Sequence, residues 1–146
     1  LILLTCIISV YIFQTNNNIL LYLIIINSIS DVSAYLVGSL IKGPKLTPRI
    51  SPNKTYSGSI AAIIGSVIIS MLFPLSGHLF YSMCIGLFIS IFGQLGDLIL
   101  SIYKRKQGFK DSGKIIPGHG GLLDRFDSLM LNMIFIFLLI NLNFIS

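Results

Sequence analysis

All five acidic residues are aspartates: Asp31, Asp97, Asp111, Asp124 and Asp127. A carboxylate inside an apolar span costs about 2.5–3.5 kcal/mol on insertion scales, so one that is retained faces a partner, an ion or water. Asp97 stands near the end of an apolar run, with Gln94 one turn earlier on the same helical face. Asp124 and Asp127 open the last apolar run at i, i+3 spacing and share a face. Three carboxylates can therefore converge at one surface, where hard oxygen ligands with open water positions suit Mg²⁺. Plainer roles exist for each. A first-turn Asp interacts with the helix dipole for about 0.3–1 kcal/mol, and Asp97 can form an ion pair with a loop Lys or Arg. Neither role accounts for the glycine-rich basic stretch lying directly between Asp97 and Asp124.

That stretch carries Lys104, Arg105, Lys106, Lys110 and Lys114, with Arg125 just beyond it and glycines at 113, 118, 120 and 121. Glycine allows positive φ and close backbone approach, so main-chain N–H groups there can cradle phosphate oxygens while Lys and Arg supply countercharge. A second basic segment, with Lys42, Lys45, Arg49 and Lys54, ends in Ser51-Pro52-Asn53-Lys54-Thr55 ahead of an apolar run. A helix start there would favour an anion. Ser51 or Thr55 alone reads more simply as an N-cap, whereas Lys54 does not fit capping. Asp31 lies deeper, with Asn27 one turn before and Tyr35 one turn after, and suits either a polar network between helices or contact with substrate.

The elements that must position these residues are apolar. Of 146 residues, 54% are hydrophobic and 10% charged, and the mean hydropathy is +0.90, far from the roughly 25% charged average of soluble domains. Five segments follow from the apolar runs: 1–13, 19–41, 57–73, 79–103 and 124–144. A span needs about 20 apolar residues, so the first is partial. The expectation is an all-α, polytopic membrane bundle forming one domain over 1–146, with the chain being the C-terminal portion of a longer protein. All ten Lys and Arg residues sit in or beside the 42–56 and 104–123 connections, which the positive-inside rule places in the cytoplasm. The connections at 14–18 and 74–78 carry none. Cys6 and Cys84 lie in separate apolar runs and His78 and His119 in separate connections, a pattern that gives a zinc site no support.

Over roughly residues 31–128 the sequence resembles the phosphatidate cytidylyltransferase family. The resemblance is carried by Ser101, Lys104-Arg105, Lys110-Asp111-Ser112-Gly113, Pro117-Gly118-His119-Gly120-Gly121 and Asp124-Arg125-Phe126-Asp127. Upstream blocks, in the expected order, are Asp31-Val32-Ser33-Ala34-Tyr35, Lys45-Leu46, Ser51-Pro52-Asn53-Lys54-Thr55 and Gly96-Asp97-Leu98. Where the family commonly has Glu, this chain has Ser57 and Leu100, and it contains no Glu.

The resemblance implies attack by a phosphate oxygen of phosphatidate on the α-phosphorus of CTP, giving CDP-diacylglycerol and pyrophosphate. The nucleophile is already ionised, so positioning and charge neutralisation are what catalysis requires. It further implies Mg²⁺ held by Asp97, Asp124 and Asp127, a second cation being left open, and phosphates held by Lys104, Arg105, Lys110 and Arg125. Ser51, Lys54, Thr55, Asp31, Asp111, His119, Gly120 and Gly121 are the expected substrate contacts. Membrane lipid is the expected surroundings, a second copy of the chain is a candidate partner, and nucleic acid is not expected. The implied location is the inner membrane of a bacterium, with the site facing the cytoplasm. Three alternatives stay open: an ion-coupled transporter using Asp31 and Asp97, a CTP-dependent lipid kinase, and a catalytically weak homologue.

Overall fold

In a computed structural model of the chain, the described residues are 2–15, 17–48, 50–75, 78–106 and 123–142, with backbone alone described at 2, 3, 15, 17, 52 and 123–127. Five helices run through them: α1 (Ile2–Thr15), α2 (Asn17–Ile41), α3 (Tyr56–Leu72), α4 (Leu79–Lys106) and α5 (Leu123–Asn141). Each matches one of the apolar segments. Two stretches, Asn18–Ile41 and Leu79–Lys106, are long and apolar enough to cross a membrane. At 1.5 Å per residue, the 28 residues of α4 extend about 42 Å, against a hydrocarbon core of about 30 Å. That helix continues past its apolar run because Lys104, Arg105 and Lys106 fill its last turn, where cations complement the negative end of the dipole.

The 42–56 connection contains a two-stranded antiparallel ribbon, β1 (Lys45–Thr47) with β2 (Ser51–Thr55), which the all-α expectation did not include. Lys45 pairs with Thr55 and Thr47 with Ser51, so three residues of β2 face a single residue of β1. Pro52 accounts for this bulge, since it has no N–H to give the ladder. Thr55 then caps α3: with φ −118° and ψ 155° it remains extended, and its Oγ1 accepts the Gly58 N–H at 3.2 Å. At the other end of α3, the chain leaves the helix at Phe73 ahead of Pro74.

Packing depends on small residues. Gly58, Ala62, Ser66 and Ser70 recur every fourth position and are the buried face of α3, while α4 buries Ser82, Gly86, Ser90, Gly93 and Gly96 among its isoleucines. A Cβ on Gly58 would lie 2.7 Å from the Ala34 carbonyl oxygen, so α2 and α3 meet backbone to backbone there. Toward the end of the bundle away from the ribbon, Ile8, Ile12, Ile19, Leu23, Ile26, Ile89 and Ile136 form an apolar cluster drawn from α1, α2, α4 and α5.

Candidate active site

A cavity of about 300 Å³ opens beside the ribbon. Its walls come from α2 (Asn27, Asp31, Tyr35), β2 (Ser51, Asn53, Lys54), the start of α3 (Gly58, Ser59), α4 (Gly93, Gln94, Asp97) and Ser128 of α5. The β2 bulge matters here. Asn53 and Lys54 fall between the two paired positions of the ladder, and both line the cavity. Lys54 Nζ lies 2.5 Å from Asp97 Oδ2. The two side chains are 24% and 34% exposed, open enough for a ligand to enter and shielded enough that the charges are not fully screened. Lys54 Nζ itself is covered, and apart from the Asp97 carboxylate it has no acceptor among the described residues, so of its three N–H groups those not turned to Asp97 have no protein acceptor there.

Beneath this pair is a layer of neutral polar groups. Ser59 Oγ donates to Gln94 Oε1 at 2.6 Å, and Gln94 Nε2 donates to the Ser59 carbonyl and to Ser90 Oγ, both at 3.3 Å. Ser90 Oγ is 3.3 Å from Ser30 Oγ. Deeper, Asn132 Nδ2 donates to Asn27 Oδ1 at 2.9 Å and Asn27 Nδ2 to the Leu23 carbonyl at 2.9 Å. Gly93 leaves room for that amide pair, as a Cβ there would sit 3.0 Å from Asn132 Nδ2.

Of the residues singled out from sequence, Ser51, Lys54, Thr55, Asp31 and Asp97 all line this one cavity. Thr55 is also the N-cap, and Ser57 Oγ reaches the same Oγ1 at 3.2 Å. With both lone pairs engaged, what it offers a phosphate is its O–H donor. Lys104 and Arg105 belong to the last turn of α4 rather than to a loop. Arg105 Nε donates to the Ile50 carbonyl at 3.3 Å, bringing the end of α4 against the ribbon, so the described parts of the two basic connections share one end of the bundle. Lys110, Asp111, His119, Gly120 and Gly121 lie outside the described residues, as do the side chains of Asp124, Arg125 and Asp127. Sequence reasoning noted Gln94 and Asn27 as neighbours of the aspartates but missed Ser59, Ser90 and Asn132, each of which has a partner on another helix 35 or more positions away.

A divalent cation would find hard oxygen donors here, in the Asp97 carboxylate and the hydroxyl and amide oxygens beside it, a set that suits Mg²⁺. Among the described residues no group of three or more His, Cys, Asp or Glu could hold a metal. Asp31 is the other described carboxylate on the cavity wall, and the side chains of Asp111, Asp124 and Asp127 are outside the description.

The cytidylyltransferase family pattern matches residues 1–143, and the chain belongs to that family. Relatives include a phosphatidate cytidylyltransferase of Bacillus subtilis (strain 168), 46% identical over 115 residues, a stretch covering 76% of this chain and 43% of the relative. Another, from Staphylococcus haemolyticus (strain JCSC1435), is 48% identical over 115 residues, with 76% and 44% covered. A third, from Staphylococcus saprophyticus subsp. saprophyticus, is 42% identical over 127 residues, with 82% and 49% covered. The chain thus spans less than half the length of these relatives.

Proposed function

We propose that this chain carries the catalytic site of a phosphatidate cytidylyltransferase, which transfers a cytidylyl group from CTP to phosphatidate and releases pyrophosphate. The observation that carries the reading is the Lys54–Asp97 contact at 2.5 Å inside an open, polar cavity, in a chain whose relatives bear that activity's name. In the reaction an oxygen of the phosphatidate phosphate forms a bond to the α-phosphorus of CTP, while the bond from that phosphorus to the bridging oxygen of pyrophosphate breaks. Lys54 is the cation within reach of the reacting phosphates, and its exchange from Asp97 to a phosphate oxygen frees the carboxylate. Ser51 and Thr55 hydroxyls supply neutral donors from the same side, and Lys104 and Arg105 add positive charge at the mouth. Mg²⁺, when held by Asp97 with Asp124 and Asp127, supplies charge neutralisation of the triphosphate.

All five helices are read as membrane spans or parts of spans, with the ribbon end in the cytoplasm, because all ten Lys and Arg residues fall in or beside the two connections whose described parts meet at that end. On this reading the site lies where water-soluble CTP meets a lipid headgroup, at a bacterial inner membrane. Membranes containing the full protein, incubated with phosphatidate and CTP labelled at the α- or the γ-phosphate, test the reading. Label in the lipid from α-labelled CTP alone is the expected outcome. Label transferred from the γ-position would make the protein a kinase and overturn it.

A further inference from the structure

We infer that Gln94 is a positioning residue that sets the register of α3 against α4, and thereby brings Lys54 to Asp97. Two contacts to α4 are stacked at the ribbon end, one from β2 and one from α3. The upper one is Lys54 with Asp97 at 2.5 Å. The lower one is reciprocal: Ser59 Oγ donates to Gln94 Oε1 at 2.6 Å, and Gln94 Nε2 returns a hydrogen bond to the Ser59 carbonyl at 3.3 Å. Lys54 is not on α3. It immediately precedes the Thr55 cap, so its position follows from where the first turn of α3 sits. Ser59 is in that turn, and Gln94 is one turn before Asp97. The lower contact therefore fixes both residues of the upper one, each through less than two turns of rigid helix.

The chemistry favours glutamine at this position. One amide both accepts from Ser59 and donates to it, and its second N–H reaches Ser90 Oγ at 3.3 Å, which is itself 3.3 Å from Ser30 Oγ on α2. Three helices are thus tied at one side chain. A carboxylate could not donate, and it would compete with Asp97 for Lys54 from one turn away. An apolar side chain would leave the Ser59 hydroxyl without its acceptor and Ser90 with Ser30 alone in a poorly hydrated site.

The kinetic test rests on the proposed reaction, so it is paired with one that does not. The full protein carrying Gln94→Met, which keeps the length and removes the hydrogen bonds, is compared with Tyr22→Phe, which removes the Tyr22–Ser70 link of 2.6 Å at the other end of the bundle. Gln94→Met should lower kcat about tenfold, as small displacements of reacting groups do. Its KM for phosphatidate should stay within about twofold of wild type, and its melting temperature should fall somewhat further than that of Tyr22→Phe because it loses three hydrogen bonds rather than one, so kcat is taken per folded molecule. Ser59→Ala, a milder change, should move kcat in the same direction, and adding it to Gln94→Met should cost nothing further. With Cys6, Cys84 and any cysteine outside residues 1–146 replaced by Ser, a Lys54→Cys/Asp97→Cys pair should be joined by a short bis-methanethiosulfonate, each thiol forming a disulfide and releasing methanesulfinate, about tenfold more slowly once Gln94→Met is added and at an unchanged rate with Tyr22→Phe. Wild-type kcat in Gln94→Met, or equal kcat losses in Gln94→Met and Tyr22→Phe, would overturn the inference, as would a cross-linking rate indifferent to Gln94. If Gln94→Met does not fold, Ser59→Ala decides both readouts. A wild-type protein that makes no lipid product defeats the reaction instead, and the cross-linking still decides for or against Gln94.

Discussion

At the end of the bundle away from the ribbon, Tyr22 Oη lies 2.6 Å from Ser70 Oγ, Ser70 donates to the Ser82 carbonyl, and Ser82 Oγ donates to the His78 carbonyl at 3.3 Å. Tyr22, Ser70 and Ser82 are all buried. At the ribbon end, Ser59, Ser90 and Gln94 make a similar set of bonds that also joins α3 to α4, yet above them lie a cavity of about 300 Å³ and a partly exposed ion pair. Both ends join α3 to α4 through hydroxyls and small residues, so polarity alone does not separate scaffold from site. The difference is in what the polar groups have left to offer. The closed end spends its donors and acceptors on one another, whereas the open end directs a charged pair and several hydroxyls into space that a ligand can occupy.

Asp97→Asn should break that comparison most severely. The amide keeps the shape but removes the charge facing Lys54, and a loss of about 10²–10³-fold in kcat is expected, the scale of deleting one preorganised electrostatic group. Because Asp97 is partly exposed, the melting temperature should hardly move. Cytidylyl transfer and thermal melting, measured on the same preparation, check this. Retained turnover at ordinary Mg²⁺ would remove Asp97 from the site.

Glycine substitutions sharpen the contrast through backbone packing. A Cβ on Gly86 would meet Ser70 Cβ at 2.5 Å and the Ser66 carbonyl oxygen at 2.8 Å; one on Gly58 would meet the Ala34 carbonyl oxygen at 2.7 Å. Either clash is against backbone or the root of a side chain, so Gly86→Ala and Gly58→Ala should each destabilise by about 1–3 kcal/mol. Their kinetic effects should differ. Gly86→Ala should leave kcat per folded molecule unchanged, while Gly58→Ala, which lies beside the Thr55 cap and lines the cavity, should lower both. Equal kinetic losses from the two would show that the ends of the bundle are not independent.

Tyr22→Phe is the milder probe of the closed end. A hydrogen bond between helices in a membrane is worth about 0.6 kcal/mol, and the Ser70 hydroxyl retains the Ser82 carbonyl. A stability loss near that size with unaltered turnover is expected from chemical denaturation and assay together.

The helices were legible because their signal is local. Apolar runs of the right length, ended by Pro74 or by the basic cluster at 104–106, require nothing distant to be read. The ribbon was not, since strands of three and five residues interrupted by Pro52 look like any loop. For the site, sequence order put Lys54, Thr55 and Asp97 beside helix ends and gave each a plausible role, and an ion pair to some basic residue was among the roles for Asp97. Which cation it meets depends on the packing of α3 on α4, a tertiary quantity. The same is true of Ser59 with Gln94 and of Asn27 with Asn132: the 105 positions between the two asparagines leave no periodic trace.

Arg105 is where scaffold and site overlap, and the smallest effect is expected there. Its Nε donates to the Ile50 carbonyl at 3.3 Å on an exposed surface, which holds the ribbon to the end of α4. The guanidinium has further N–H donors on its terminal nitrogens, so the same side chain can hold the ribbon and face a phosphate. Arg105→Lys keeps the charge and loses the Nε donor, whereas Arg105→Gln loses the charge as well. An exposed hydrogen bond of about 0.5 kcal/mol corresponds to roughly a two- to threefold change in KM for CTP, which is the effect expected of Arg105→Lys. Arg105→Gln should exceed it, and the excess should shrink as salt is raised, since a partly exposed charge is screened over about 10 Å at 0.1 M. Equal effects from the two variants, insensitive to salt, would assign Arg105 to the ribbon alone and leave Lys54 as the cation that carries phosphate recognition on the described surface.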